Sequence, residues 1–274
     1  MAQSGRTAED GHSDEAGSAR PRTGVVPPPP WARAQTPRRV RPDRPALSRE
    51  AIVDAALRII DAEGYEAVSM RRVAQEFGTG AASLYAYVAN KDELMDLVVD
   101  QVMSETRLAD SEPDADVERW IEQLKDAVRT SYQVLRSHRD VAKAFLGRIP
   151  FGPKGLRNIE QLLTLLRAHG LPDYIAAYLG DLIGQYIVTA AIEDQMWYDR
   201  FPEATAADAA AAISKLGDYL ESLPKEQFPN LTAMARLMVG EPQDAGNAVA
   251  ERFELGLDII MRGVATFLPA RTDD

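Results

Sequence analysis

The sequence contains no cysteine, which excludes disulfide bonds, thiolate metal ligands and a cysteine nucleophile. The lack of cysteine is typical of proteins kept in a reducing compartment. No run of about 18 apolar residues occurs, so the sequence predicts no membrane-spanning segment. The N-terminal stretch MAQSGRTAEDGHSDEAGSAR is polar and lacks the apolar core of a secretory signal. We therefore expect a cytoplasmic protein without a membrane partner.

Signatures of catalysis and of cofactor binding are also missing. Neither an HExxH pattern nor a phosphate-binding loop occurs, and the glycines of FGTGAAS lack the strand-then-helix context of a nucleotide site. The three histidines, His12, His138 and His169, are scattered without clustered carboxylates, so no metal site is predicted. His138 is interpreted as a structural or surface residue. We expect no enzyme, no catalytic residue and no cofactor.

Negative charge dominates, because 42 Asp and Glu residues against 31 Lys and Arg give a net charge of −11. That total disfavours nonspecific binding to polyanions, but it is compatible with a local basic surface. Basic residues concentrate in a Pro- and Arg-rich tail, residues 1–46, with seven arginines and one aspartate between Arg20 and Arg44. Its low apolar content predicts disorder or polyproline II. Two interpretations stay open: a solubilising linker, or a basic arm on DNA phosphates or in a minor groove.

Helical periodicity dominates from Leu47 onward, and strand alternation is nearly absent. Ser48, Ser69 and Asn90 are predicted N-caps, and Gly64 is a predicted helix stop. They predict short helices over about 48–63, 69–77, 81–88 and 91–109. Longer helices follow at about 115–137, 140–147, 154–169, 173–199, 206–222, 231–239 and 247–268. The sequence thus predicts an all-α protein with a tail over 1–46, an N-terminal domain over 47–110 and a larger helical domain over 111–270.

The stretch SMRRVAQEFGTGAASLYAYVANKDEL (69–94) has the outline of a helix-turn-helix, with two short helices and a tight turn after a longer supporting helix. In the second helix, Ala81 and Ala82 permit close approach to a groove, and Ser83 can reach a base edge or a phosphate. Lys91 starts the next helix, where backbone N–H groups already favour an anion. An ordinary helical hairpin with packed tyrosines, or an adaptor that binds protein, would show the same periodicity.

The segment LSREAIVDAALRIIDAEGYEAVSMRRVAQEFGTGAASLYAYVANKDELMDLV closely resembles the DNA-binding domain of the TetR family of bacterial transcriptional repressors. The resemblance continues more weakly beyond it. The stretches LRSHRDVAKAFLGRIP, IEDQ and RFELGLDIIMRG are similar to parts of the regulatory domain in the tetracycline repressor class of that family. The family resemblance implies a three-helix helix-turn-helix DNA-binding domain over 47–110 and a ligand-binding and dimerisation domain over 111–270.

The resemblance implies a homodimeric repressor that presents two reading helices to successive major grooves of a partly palindromic operator, with dimer contacts in 173–199 and 247–268. A purely intramolecular core is the alternative for these two helices. By position, the base-facing residues are Ala81, Ala82, Ser83 and Ala86, and the phosphate-facing residues are Tyr85, Tyr87 and Lys91. Arg71 and Arg72 at the start of the preceding helix are also predicted to face phosphate, and Thr79 completes the predicted DNA-binding set. Because three of the base-facing side chains are methyl groups, thymine-methyl contacts, Arg71 and DNA shape are expected to carry more of the specificity.

The resemblance also implies an effector site, but with a different ligand from the tetracycline–Mg²⁺ chelate. The two positions that match metal-binding histidines in that class are Arg107 and Phe145, so no metal is expected. The predicted ligand-binding residues are Ser131, Phe145, Ile149, Gln161, Gly184, Gln185, Glu193 and Trp197. Apolar and aromatic walls with a few polar groups predict a medium-sized, largely apolar effector, such as an antibiotic or a polyketide. The alternative is that the aromatic residues at helical spacings are ordinary core, namely Phe145, Tyr178, Tyr186 and Trp197.

Overall fold

The computed structural model describes residues 47–106, 117–200, 205–240 and 248–269. Within these ranges the chain forms helices joined by turns, with no strand, which confirms the predicted all-α class. The tail over 1–46 lies outside the described residues. The α-helices in chain order are α1 (Arg49–Glu63), α2 (Met70–Glu76), α3 (Ala81–Leu84), α4 (Lys91–Met103), α5 (Val117–Ser137), α6 (Val141–Phe145), α7 (Pro153–Ala168), α8 (Asp173–Arg200), α9 (Ala206–Glu221), α10 (Pro229–Val239) and α11 (Ala248–Ala265).

The predicted N-caps of α1, α2 and α4 are confirmed. The side-chain oxygens of Ser48, Ser69 and Asn90 each accept a hydrogen bond from the backbone N–H three residues later, at 3.1, 3.1 and 2.8 Å. Gly64 ends α1 with φ +92°, a left-handed conformation that favours glycine. Because a cap acts on backbone groups a few residues away, these three helix starts and the end of α1 can be predicted from the sequence.

The C-terminal end predicted for α3 is wrong. The sequence predicts a helix over 81–88, but α3 ends at Leu84 and the chain continues in a turn. The carbonyl of Leu84 accepts the N–H of Tyr87 at 2.8 Å as well as that of Val88 at 3.0 Å. The bond to the residue three positions later tightens the last turn, so regular α geometry does not continue. Apolar spacing alone does not reveal this tightening.

The N-terminal domain is held together by apolar contacts among α1 to α4. Helix α1 packs against α2 and α4, and α2 packs against α3. Leu84 at the end of α3 and Val88 after the following turn are fully buried. Their burial turns the opposite face of residues 81–88, including Ala82 and Tyr85, outward to solvent.

Polar contacts attach α4 to α7 and so join the N-terminal domain to the rest of the protein. The buried carboxylate of Asp100 accepts the backbone N–H groups of Lys154 and Gly155 at 2.8 and 2.9 Å, and it thereby caps the first turn of α7. In the opposite direction, the amide of Asn158 on α7 donates to the carbonyl of Met103 at the end of α4 at 2.7 Å. Each helix therefore satisfies unpaired backbone groups at the end of the other.

We expect Asp100→Ala to lower the free energy of unfolding by about 2 kcal/mol, because it leaves two backbone N–H groups at the start of α7 without an acceptor. Urea unfolding monitored by circular dichroism measures the change. Asp92→Ala is the matched control, since Asp92 lies on the same helix with a side chain that is 86% exposed. Equal losses for the two variants would contradict a capping role for Asp100.

In the C-terminal domain, α5, α8 and α11 meet at a stack of aromatic rings. The rings of Tyr132 and Phe253 lie 4.0 Å apart and nearly parallel, at 12°. Tyr186 lies on the other side of Phe253 at 5.2 Å and donates its hydroxyl to the Phe253 carbonyl at 2.6 Å. These contacts favour the core interpretation for Tyr186, whereas Tyr178 is exposed, and they fix α8 against α5 and α11.

Helix α8 is the longest helix that the structure describes, with 28 residues, and it contains a long apolar stretch. Its stretch Asp173–Met196 is long and apolar enough to cross a membrane by length and composition alone, with a mean hydropathy of 1.4. One face of the helix is buried against α5, α6 and α7. The opposite face leaves Tyr174, Tyr178 and Leu182 exposed at intervals of four residues. This second face is an apolar surface that the described part of the chain does not cover.

Helices α9 and α10 form a hairpin in which the two helices pack against each other. Arg236 on α10 bridges Asp218 at 2.5 Å and Glu221 at 2.9 Å on α9. Gly217 makes room for this guanidinium, since a Cβ at position 217 would lie 2.4 Å from it. A polar cross-link thus holds the hairpin, whereas Leu237 on its outer surface is 83% exposed.

Candidate nucleic-acid interface and ligand site

The outward face of α3 and the following turn carries the small residues predicted to meet base edges. Ala82 and Ala86 are exposed and Ala81 is half-buried. Ser83 is half-buried as well, and its hydroxyl shares a 2.9 Å hydrogen bond with the hydroxyl of Thr79. This pair fixes the Ser83 rotamer and leaves methyl groups as the outermost atoms of the helix. The face can approach a groove closely and offers few hydrogen-bond donors.

The predicted phosphate-facing residues flank this face. Tyr85 is 54% exposed, so its hydroxyl is accessible to a phosphate oxygen. Tyr87 is half-buried and its ring packs on the domain core, which leaves a smaller part of it for DNA. Lys91 is the first residue of α4, and its ammonium lies 5.1 Å above the ring of Tyr65. A cation and the unpaired N–H groups of a helix start therefore coincide beside α3.

The loop that places Lys91 is held by Glu93. Its side chain accepts the backbone N–H of Ala89 at 2.6 Å and forms an ion pair with Arg49 at the start of α1. Asn90 and Glu93 thus form a shifted capping box, in which the Glu93 carboxylate bonds the N–H of the residue before the N-cap Asn90. The contact ties the beginning of α4 to the beginning of α1.

The two arginines at the start of α2 differ in surroundings. Arg71 is exposed. Arg72 donates to Glu63 on α1 at 2.5 Å and to Glu76 on its own helix at 2.6 Å. Hydrogen bonds to these two carboxylates raise the pKa of the Arg72 guanidinium. Its donors are therefore used in joining α1 to α2, and a phosphate contact by Arg72, which stays a prediction, would compete with these ion pairs.

The predicted ligand-binding residues lie on four helices and on the connection between α6 and α7, which carries Ile149. These helices contact one another, since α8 packs against α5, α6 and α7. Half-buried members of the set are Ser131, Phe145 and Gly184, and exposed members are Ile149, Gln161, Gln185 and Glu193. Trp197 lies on α8, but its side chain is outside the described residues, as is Arg107. The set therefore spans an open surface of one protomer instead of an enclosed cavity.

Two polar members of the set have partners within their own helices. The hydroxyl of Ser131 donates to the carbonyl of Ala127 at 2.9 Å, and the amide of Gln185 donates to Asp181 at 2.7 Å. Gly184 faces open space, with nothing within 4 Å of a Cβ placed there. A ligand at this surface would replace solvent without displacing packed side chains.

A separate cleft of about 280 Å³ lies between α5, α6 and α8. Its charged groups are paired: Arg136 with Asp194 at 2.9 Å and Lys143 with Asp140 at 2.6 Å. The residues that line it are Leu135, Arg136, His138, Asp140, Ala142, Lys143, Ala191, Ile192, Asp194 and Gln195, none of which belongs to the predicted ligand-binding set. Because charged and polar side chains form more than half of its lining, the cleft suits a largely apolar effector poorly, and the predicted set remains the candidate site.

Sequence reasoning missed the residue that links α4 to the candidate ligand site. Arg148 lies between Phe145 and Ile149, and its guanidinium contacts Asp96 at 3.1 Å and Asp92 at 3.0 Å on α4. Burial raises the pKa of Asp96, and the charge of Arg148 opposes that rise. Two aspartates four residues apart on a predicted helix were the available signal, because they form a row that one arginine can bridge.

Comparison with known proteins identifies the family. Residues 52–98 match the family model of bacterial regulatory proteins of the tetR family, and residues 112–268 match that of the tetracyclin repressor-like C-terminal domain. The transcriptional repressor DrrR1 of Streptomyces coeruleorubidus is 31% identical over 224 residues, 81% of each chain. The class D tetracycline repressor protein of Escherichia coli is 28% identical over 226 residues, 82% of this chain and 92% of that protein.

A solved structure gives the same answer. The TetR family protein ActR of Streptomyces coelicolor, in complex with actinorhodin, is 40% identical and superposes with a TM-score of 0.71, covering 82% of this chain and 98% of that chain. ActR has also been solved without ligand and with (S)-DNPA. Helix order, helix-turn-helix and both domain matches agree, and the chain belongs to the TetR family of non-enzymatic, DNA-binding transcriptional repressors.

Proposed function

We propose that the protein is a homodimeric repressor that binds a partly palindromic operator and leaves it when a medium-sized, largely apolar effector binds, such as an antibiotic or a polyketide. The observation that carries this proposal is the similarity to ActR, a TetR family protein solved with actinorhodin. This chain is 40% identical to ActR and covers 98% of the ActR chain. Because the operator is bacterial DNA, the protein would act in the cytoplasm.

The uncovered apolar faces of α8 and α11 support the homodimer. Tyr174, Tyr178 and Leu182 on α8 are 63%, 76% and 52% exposed, and Leu255 and Ile259 on α11 are 63% and 62% exposed. Each set repeats every four residues, so each forms a stripe along one side of its helix. Exposed apolar stripes on two helices are typical of a protein interface. A two-fold axis would pair these stripes with their copies in the partner.

Operator recognition would then follow from the spacing of two identical reading heads. Successive major grooves on one side of a duplex are about 34–36 Å apart, or a multiple of it, which sets the distance between half-sites. The methyl groups of Ala82 and Ala86 favour contacts with thymine methyls, while Tyr85 and Lys91 bind phosphates. Arg71, which is exposed beside them, is the remaining predicted cation of this face.

Helix α4 would transmit effector binding to the reading heads. Its first residue is Lys91, its next two turns are bridged by Arg148, and its last turn is tied to Asn158 on α7. An effector beside Phe145 and Ile149 would move Arg148 and hence α4. A coupling free energy of about 1–3 kcal/mol would change operator affinity by about 5–150-fold.

The test is an electrophoretic shift with the DNA upstream of the gene for this chain, with and without actinorhodin. We expect a shift that weakens steeply when about 0.2 M salt is added, because phosphate contacts release counterions. We also expect actinorhodin to lower the affinity at least about fivefold. A DNA affinity that does not change with salt would contradict the DNA interface. A DNA affinity that is unchanged by actinorhodin and by other apolar polyketides would contradict the proposed effector class.

A further inference from the structure

The three residues between α5 and α6, numbers 138–140, form a junction with the end of α1. The carboxylate of Asp140 accepts the backbone N–H of Tyr65 at 3.3 Å, and a Cβ at Gly64 would lie 2.9 Å from that same carboxylate. Asp140 has φ +57°, the one left-handed non-glycine backbone among the described residues. Aspartate tolerates this conformation better than most residues, and here it turns the chain toward α1.

His138 lies in this junction with a carboxylate at each ring nitrogen. Its Nδ1 is 3.1 Å from both oxygens of Asp61 on α1. Its Nε2 is 3.3 Å from Glu105, two residues past the end of α4. The imidazole side chain is 15% exposed, so solvent replaces these partners poorly. One side chain of the regulatory domain thus touches the C-terminal ends of two helices of the DNA-binding domain.

The geometry specifies a protonation state. A neutral imidazole has a single N–H, so its other nitrogen would present a lone pair to a carboxylate, and the two would repel. The imidazolium donates from both nitrogens and satisfies both carboxylates. Burial by itself would lower the pKa of His138, but the hydrogen bonds and charges of Asp61 and Glu105 outweigh burial and raise it.

The other charged groups around His138 are engaged with each other or with backbone carbonyls. The cleft that His138 lines also contains Lys143, paired with Asp140, and Arg136, paired with Asp194. Arg139 follows His138 and donates to the carbonyl of Ala62 on α1 at 3.4 Å. His138 is therefore the group of this junction with an ordinary pKa close to neutrality.

We propose that protonated His138 is a positioning residue that clips the ends of α1 and α4 to the regulatory domain, and that loss of its proton loosens the reading head and weakens operator binding. The proposal rests on the proposed function, since it concerns the geometry of the same DNA-binding domain. Helix α4 carries Lys91 at its other end, and Arg49 and Glu93 tie the starts of α1 and α4 together. Loss of the His138 contacts would leave the bonds of Asn158 to α4 and of Asp140 to Tyr65 in place, so the two far ends would loosen and the pair of helices could tilt slightly as a unit.

The direction of the pH effect follows from the raised pKa. A group whose pKa is higher in the folded protein than in the unfolded chain stabilises the folded protein. This stabilisation is fully present when the pH is below the ordinary pKa of the group, about 6.5 for histidine. That stabilisation is lost as the pH rises through the higher folded value. The clip should therefore hold at about pH 6 and open as the pH rises through the raised pKa of His138.

Two measurements test the clip without DNA, using the full chain and three variants. His138→Gln removes the titrating group, His138→Arg keeps a permanent cation, and His12→Gln removes a histidine of the tail. With three histidines in the chain, imidazole resonances can be assigned by these substitutions. We expect the His138 resonance to titrate at higher pH than that of His12. The Tm difference between wild type and His138→Gln should be largest at about pH 6 and vanish by about pH 9.

The third measurement is affinity for the upstream DNA at constant ionic strength. Between about pH 6 and pH 8.5 the wild type should lose about fivefold more affinity than His138→Arg, with His12→Gln behaving as wild type. Titration of His138 at or below the pH of His12, or equal pH dependence of affinity in wild type and His138→Arg, would overturn the clip. Absence of DNA binding at every pH would overturn the proposed function, while the first two measurements would still decide whether His138 holds the junction.

Discussion

Tyr178→Glu is expected to convert the protein into a monomer and to abolish detectable operator binding. The tyrosine is 76% exposed in one protomer, so the substitution removes little that the protomer itself packs. In a two-fold dimer both copies of the stripe would carry the charge and face each other. Truncating a central interface residue costs about 2–4 kcal/mol, so two buried carboxylates should raise the dimer dissociation constant by about a thousandfold or more.

Sedimentation equilibrium measures the association state, and DNA binding is followed on the same samples. Gln133→Glu adds the same charge on an exposed position of α5, outside the α8 stripe, and should leave the wild-type dimer intact. The Tm of both variants shows whether the protomer still folds. A Tyr178→Glu protein that remains dimeric at low micromolar concentration would place the dimer interface elsewhere.

Lys91→Ala is expected to reduce operator affinity about a hundredfold or more at moderate salt. The ammonium stands at the first residue of α4 beside α3, where helix N–H groups reinforce an anion contact. A charge-assisted hydrogen bond contributes about 1.5–3 kcal/mol, and a dimer would lose two of them. The same loss should reduce the slope of log affinity against log salt by about 1.8, since each phosphate contact contributes about 0.9.

Fluorescence anisotropy with labelled upstream DNA across a salt series gives both quantities. Lys225→Ala is the control, because Lys225 is exposed in the turn between α9 and α10, far along the chain from the reading head. The test separates a phosphate contact from damage to the fold, since a misfolded head would lose affinity with little regard to salt. An unchanged slope for Lys91→Ala would remove Lys91 from the interface.

Local sequence signals determined the helices and the helix-turn-helix. Ser48, Ser69 and Asn90 cap the helices they were predicted to cap, because an N-cap acts on a backbone group three residues away. The end of α3 was predicted wrongly because two N–H groups share the Leu84 carbonyl, and the spacing of apolar residues does not indicate such a change in hydrogen bonding. Family resemblance supplied the predicted site residues, and the residue pattern alone would have left a packed hairpin open.

Tertiary structure alone decided which charged side chains meet. Arg72 was predicted to face phosphate, yet its donors hold Glu63 on another helix. Arg148 reaches aspartates more than 50 positions earlier in the chain, and His138 reaches a carboxylate 77 positions earlier. Long side chains pair with whatever the folded backbone brings within about 4 Å, and periodicity carries no record of that distance. Local caps and spacing in the sequence thus determined the helices, and the family resemblance indicated DNA binding, whereas the fold decided which contacts fasten the DNA-binding domain to the rest of the protein.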